Sequence, residues 1–156
     1  MEDENLEIRS DEELWNDLLI LEGESKADTL SSLAISYSAT ENSQYAIALA
    51  KEARANFIQS GFTGNEVEFI WVWGVLAESN AYLENYNEAI DAGIKCYELC
   101  MEHLYPGYES IRWDLIKWYL SAYRFEEAKA QFEMLHDRYK FASEIDFSSL
   151  MGSEND

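Results

Sequence analysis

The chain has 156 residues, 47% of them hydrophobic and 14% aromatic, with one proline and 7 glycines. That is enough apolar material for one packed domain, and it excludes a wholly disordered chain. With 31 acidic residues against 11 basic ones the formal charge is −20, which sets the chain against nucleic-acid phosphates and anionic membrane surfaces. The longest apolar run, Phe69 to Ala77, is far short of the ~20 residues that span a bilayer. The acidic start, Met1-Glu2-Asp3-Glu4, is the opposite of a basic signal-peptide start. Two cysteines without a disulfide pattern suit a reducing compartment, so a cytoplasmic location is expected.

The acidic excess gathers at the ends. Residues 1–24 hold 10 acidic groups and one arginine, and residues 144–156 hold 4 acidic groups and no base. The chain divides into an acidic N-terminal arm over 1–24, a domain over 25–140, and an acidic tail or short cap over 141–156. Solubility and self-repulsion account for such ends first, and partner contact second.

Helix signals recur along the whole chain, while hairpin dipeptides and alternating β-branched runs are missing. Ser10 and Glu13 form a capping box, and Leu14, Trp15, Leu18, Leu19 and Leu21 follow at helical spacing. A helix over 11–22 is predicted, ended by Gly23 in the left-handed conformation. Ser25 and Asp28 mark a second start, leading into Leu30, Leu33, Ala34 and Tyr37. A third helix opens near Asn42 or Ser43 and carries Ala46, Ala50, Ala53 and Phe57 before Gly61 and Gly64 break it. A fourth begins near Asn65 and carries Phe69, Val72, Trp73, Leu76 and Ala77. Asn87 is the expected cap of a fifth, with Ala89, Ile90 and Ile94. Pro106-Gly107 is the strongest breaker. A sixth helix follows with Ile111, Leu115, Ile116 and Tyr119, and a seventh with Ala128, Phe132 and Leu135. Beyond Phe141 only Ile145, Phe147, Leu150 and Met151 are apolar, so a short helix or tail is expected there.

Pairing the helices exposes an internal repeat. Leu33-Ala34 with Tyr45-Ala46-Ile47, Leu76-Ala77 with Tyr86-Asn87-Glu88-Ala89-Ile90, and Leu115-Ile116 with Phe125-Glu126-Glu127-Ala128 share one pattern. The marker alanines Ala46, Ala89 and Ala128 lie 43 and 39 residues apart. Self-similarity at this period signals stacked helical hairpins, and small residues let paired helices cross closely. On these residues the region 25–140 resembles the tetratricopeptide repeat. Trp73, Leu76, Ala77 and Tyr86 through Ile90 carry the closest match. Ile116 departs from the small residue usual at its position, and Ser43 stands where a turn aromatic belongs. The long period is similar to that of kinesin light chain and of regulators of the MalT type. The expected fold is all-α: a helical-hairpin solenoid of about three such repeats in one right-handed array, preceded by helix 11–22.

Residues that carry chemistry are few. The best metal candidate is Cys96, Cys100 and His103, whose spacings of four and three share a helix face. That face continues from Ala89 and Gly93, so the cysteines read as small core residues. No metal, cofactor or catalytic residue is expected. Paired acids such as Glu12-Glu13 and Glu126-Glu127 fall at helix starts, where the helix dipole favours them. Trp73 and Trp118 are expected in the core.

What remains is binding. The resemblance implies a groove lined by the first helix of each pair, holding a peptide. Carried over position by position, the partner-binding residues are Asp28, Ser31 and Ile35 from the first repeat, Trp71, Glu78 and Tyr82 from the second, and Trp113, Lys117 and Ser121 from the third. The basic clamp by which one subclass holds a C-terminal carboxylate is missing: Ser31, Ile35, Val75, Ser110 and Asp114 occupy its positions. The expected function is a non-enzymatic interaction module, a small cytoplasmic adaptor or regulator that binds a partner protein or peptide and can self-associate through the last repeat. One alternative is an acidic inhibitor or nucleic-acid-mimicking decoy, for instance phage- or plasmid-borne. The other is a subunit of a larger helical assembly. Helix 11–22 itself is a candidate cover for the groove.

Overall fold

The structure, a computed structural model, describes residues 10–135. The described chain is all-α. It has seven helices: α1 (Asp11–Leu18), α2 (Gly23–Tyr37), α3 (Ser43–Gln59), α4 (Phe69–Tyr82), α5 (Tyr86–Glu102), α6 (Tyr108–Ser121) and α7 (Phe125–Glu133). No strand occurs among the described residues. The helices pack sequentially as adjacent antiparallel pairs, with α2 on α3, α4 on α5 and α6 on α7. α2 also meets α4 directly, so the first helices of the first two pairs lie side by side. The expected tail residues Phe141, Ile145, Phe147, Leu150 and Met151, and the last residues of the 25–140 region, lie outside the described residues.

Helix starts follow local chemistry, with shifts from the sequence expectation. The Ser10 hydroxyl accepts from the Glu13 backbone N–H at 3.3 Å and caps α1. That helix ends at Leu18, four residues before the expected boundary. Leu14 is buried and Leu18 half-buried against α2, whereas Leu19 and Ile20 are 84% and 80% exposed. Once the apolar face has docked, nothing sustains a further turn. Gly23 does take a positive φ of 63°, but as the first residue of α2 rather than as the stop of α1. α4 opens at Phe69, later than Asn65, because residues 63–66 close on themselves. The Glu66 carboxylate accepts from the Thr63 and Gly64 backbone N–H groups at 2.8 and 2.9 Å. Those bonds hold its carboxyl below the usual range. α5 opens one residue before Asn87, with Asn85 at the N-cap.

The second helices of the pairs begin at Ser43, Tyr86 and Phe125. These starts are 43 and 39 residues apart, the same intervals as Ala46, Ala89 and Ala128, and all three alanines are fully buried. The turns after α4 and α6 also match. Glu84 and Tyr123 take φ of 63° and 59°, and the next backbone N–H reaches back to close the helix, Asn85 to Asn80 and Arg124 to Tyr119, each at 2.8 Å. The first pair departs: Ser43 is buried and its hydroxyl donates to the Thr40 carbonyl at 2.6 Å, while Tyr45 points to solvent.

The core has two connected parts. One runs through α1 to α5 and includes Leu30, Leu33, Phe57, Phe69, Val72 and Leu76. Phe57, Phe62 and Phe69 form a ring cluster with centroids 4.9–6.3 Å apart. The other joins α5 to α7 through Ile90, Leu115, Ile116, Tyr119 and Ala128. Trp118 and Ile111 pack against both. Arg112 ties the last helices together, reaching Glu109, the Tyr97 hydroxyl and the Met134 carbonyl. No helix among the described residues is long and apolar enough to cross a membrane.

Candidate functional site: a groove across the first helices

Residues seven apart on a helix share a face, because seven residues make about two turns. α2 thus presents Asp28 and Ile35 together, α4 presents Trp71 and Glu78, and α6 presents Ile111 and Trp118. Ile35, Trp71, Glu78, Ile111 and Trp118 border an open cavity of about 310 Å³ between α2, α4 and α6, floored by Gly93 and Cys96 of α5. A second cavity of about 240 Å³ adjoins it, bounded by Asp28, Ser31, Phe57 and Glu68. Ile35 and Trp71 line both, so they are the shared wall.

The main cavity is apolar with acids at its edge. Ile35, Val75, Ile111 and Trp118 supply the apolar lining, and Glu78 and Asp114 the carboxylates. Its depth depends on glycine. A Cβ at Gly93 would lie 2.9 Å from the Trp118 ring and 3.0 Å from Leu115, so only glycine lets α6 seat its tryptophan there. Gly74 lines the cavity directly, and a Cβ there meets only the Cys96 sulfur, at 3.8 Å. Trp71 is half-exposed at the mouth and stands edge-on to Tyr105, with ring centroids 5.5 Å apart.

Electrostatics set this groove apart. Burial, then the nearby Asp114 charge, push the Glu78 carboxyl up, opposed by a hydrogen bond donated by the Ser38 hydroxyl at 3.4 Å. Among the described residues no cation pairs with Glu78. In the adjoining cavity, burial and the charges of Glu24 and Glu68 push the Asp28 carboxyl up. Asp114 pairs with Lys117 at 3.1 Å, one turn along α6.

No family model, no curated protein and no solved structure matches this chain.

Of the sequence-predicted binding residues, the structure gathers Asp28, Ser31, Ile35, Trp71 and Glu78 around the two cavities. Tyr82 is 53% exposed at the end of α4 and lines neither. Trp113 packs half-buried against the second core, and the 54%-exposed Lys117 stands beside Asp114 without lining the cavity. The sequence reading missed Ile111 and Trp118, which was placed in the core alone. It named Asp114 only as a position where a basic clamp was absent. Repeat alignment transfers the same position on every first helix, but a cavity between two helices is walled by different faces of each. A helical-wheel pairing of Ile111, Asp114 and Trp118 carries that signal.

α1 lines neither cavity. It lies on α2, where Trp15 Nε1 donates to the Tyr37 hydroxyl at 3.2 Å and the Ser36 hydroxyl donates to Asp11 at 2.7 Å. Cys96, Cys100 and His103 each have other surroundings. Cys96 donates to the Ile70 carbonyl at 3.4 Å, Cys100 is buried, and His103 Nε2 donates to the Asn65 carbonyl at 2.6 Å. Burial, then the neighbouring Cys100, push the Cys96 thiol up to about 12, the behaviour of an inert core cysteine. No group of three or more metal-ligating side chains occurs among the described residues. On the opposite side of α4, Trp73 lies between Arg54 and Lys95, with the cations 5.4 and 4.2 Å from its ring centre.

Proposed function

We propose that the chain is a non-enzymatic protein-interaction module: a tetratricopeptide-like array of three helix pairs that holds a segment of a partner protein in the groove across α2, α4 and α6. The matched helix starts, buried alanines and left-handed turns of the second and third pairs support the repeat reading. One observation carries the functional one. The groove is an open apolar cavity whose acids lack a cation of their own at Glu78. Clefts of this kind, apolar with a few placed polar groups, are built for ligands. Trp71 is the natural anchor, being large, rigid and half-exposed at the junction of both cavities. A cytoplasmic adaptor or regulator is the role that fits, the two free thiols being consistent with a reducing compartment.

The test is to pan a random-peptide library on the purified chain, then titrate the selected peptides against Trp71→Ala. Loss of about 2 kcal/mol or more of binding is expected, with modest weakening at high salt. Unchanged affinity in Trp71→Ala, together with collapse of binding in salt, contradicts the groove and favours an acidic decoy acting through its ends.

A further inference from the structure

The groove reading leaves open what the segment looks like, and the following rests on that reading. We propose that the two cavities are paired subsites for an extended segment of the order basic–x–apolar–x–basic, one cation seated between Glu78 and Asp114, the other between Asp28 and Glu68, and the apolar residue on the Ile35–Trp71 wall.

Three observations lead there. First, each cavity holds two carboxylates against apolar side chains, and neither is lined by a lysine or arginine. Lys117 reaches Asp114, but from outside the cavity. Two carboxylates set beside one another against an apolar lining are left short of counter-charge, and the Glu78 and Asp28 carboxyls are displaced upward in keeping with that. Lysine and arginine stems also lay their methylenes along apolar surface while the head seeks charge, which this lining offers.

Second, the spacing fits. Glu68 and Glu78 are ten residues apart on and before α4, about 15 Å of axial rise. Alternate residues of an extended chain point the same way, and four residues advance about 13 Å. A basic residue at each end and an apolar residue midway thus face the groove together.

Third, charge sets a second copy and the acidic ends of this chain against the groove. Residues 1–9 and 144–156 of this chain are themselves acidic, and a second copy carries −20. Like charge at an interface is costly, so a cationic segment of another protein is the complementary partner.

The experiment uses three synthetic peptides on one framework: Arg-x-Leu-x-Arg, the same peptide with neutral citrulline for both arginines, and the same with glutamate. Each is titrated against the wild-type chain and its Glu78→Gln, Glu68→Gln and Glu88→Gln variants, with thermal melts verifying that each variant is folded. Glu88 is exposed on α5, away from both cavities. The arginine peptide is expected to bind about tenfold or more tightly than the citrulline peptide. Glu78→Gln and Glu68→Gln should each erase most of that gap, and Glu88→Gln should leave it. Equal binding of the arginine and citrulline peptides, both abolished by plugging the cavity with Gly74→Leu, overturns the cationic subsites and leaves the groove reading standing. An arginine preference untouched by Glu78→Gln and Glu68→Gln assigns it to general acidity and overturns the subsites. Preference for the glutamate peptide, or no binding of any, also overturns them. Binding that survives Gly74→Leu overturns both readings.

Discussion

Gly93 and Glu78 show most clearly how single residues shape this groove. At Gly93 two effects oppose. Alanine would gain about 1 kcal/mol of helix propensity, but its Cβ would press on the Trp118 ring and Leu115, an overpacking that costs about 1–3 kcal/mol. The contact wins, because Trp118 is pinned between both parts of the core. Gly93→Ala is expected to lower stability by about 1 kcal/mol in urea denaturation; a variant as stable as the parent would mean that the ring moves freely. Glu78 works in the other direction. A carboxyl raised in the folded state favours folding at low pH and loses that contribution as pH rises through the ordinary carboxylate range. Glu78→Gln should therefore melt above the wild type at neutral pH, the difference closing as pH falls through that range. Glu66 has the opposite sign: the backbone N–H bonds that lower its pKa stabilise the fold above the carboxylate range and are lost on acidification. Glu66→Gln should melt below the wild type at neutral pH. A stabilising change at Glu78 that weakens binding is the trade-off expected of a residue kept for function.

Among the elements, the turns are as informative as the helices. Glu84, Leu104 and Tyr123 occupy left-handed positions that favour glycine. Glu84 is exposed and sits in a closed helix terminus, so Glu84→Gly should raise stability by about 0.5–1 kcal/mol. No gain in thermal melts would show that Glu84 holds a compensating interaction. The helix crossings make the complementary case. Ala89 is fully buried, and Ala89→Trp should cost about 1–3 kcal/mol or more; a variant that melts with the parent would place α5 in another register. Element type was legible in the sequence because capping residues, apolar periodicity and the Pro106-Gly107 break all agree. Three boundaries were not. Gly23 has the conformation its type suggests, but it serves the following helix. Asn65 and Asn87 resemble caps, yet the Glu66 turn and the closed terminus at Asn85 set the starts. In each case the deciding interaction is a backbone bond to a neighbour, which residue type alone does not specify.

At the scale of the whole molecule, the seven helices place five of the nine sequence-predicted binding residues around one pair of cavities. Asp28, Ser31, Ile35, Trp71 and Glu78 were legible because residues three, four and seven apart on α2 and α4 share one helix face. Trp113 and Lys117 fall outside because α6 turns a different face, that of Ile111 and Trp118, towards α4. Trp118 was hidden from sequence reading by its double role, core on one side of the ring and groove on the other. On the proposed reading, the net charge of −20 sets the sign of the partner and the groove is the place where it binds. The most direct test of that account is to plug the groove without disturbing the fold. Gly74 faces the cavity with only ordinary contact distance to Cys96, so Gly74→Leu fills the cavity at no backbone strain. Peptides selected on the wild-type chain should be retained poorly by Gly74→Leu, while its melting temperature equals or exceeds that of the parent. Undiminished peptide retention by a well-folded Gly74→Leu would contradict the groove as the binding site.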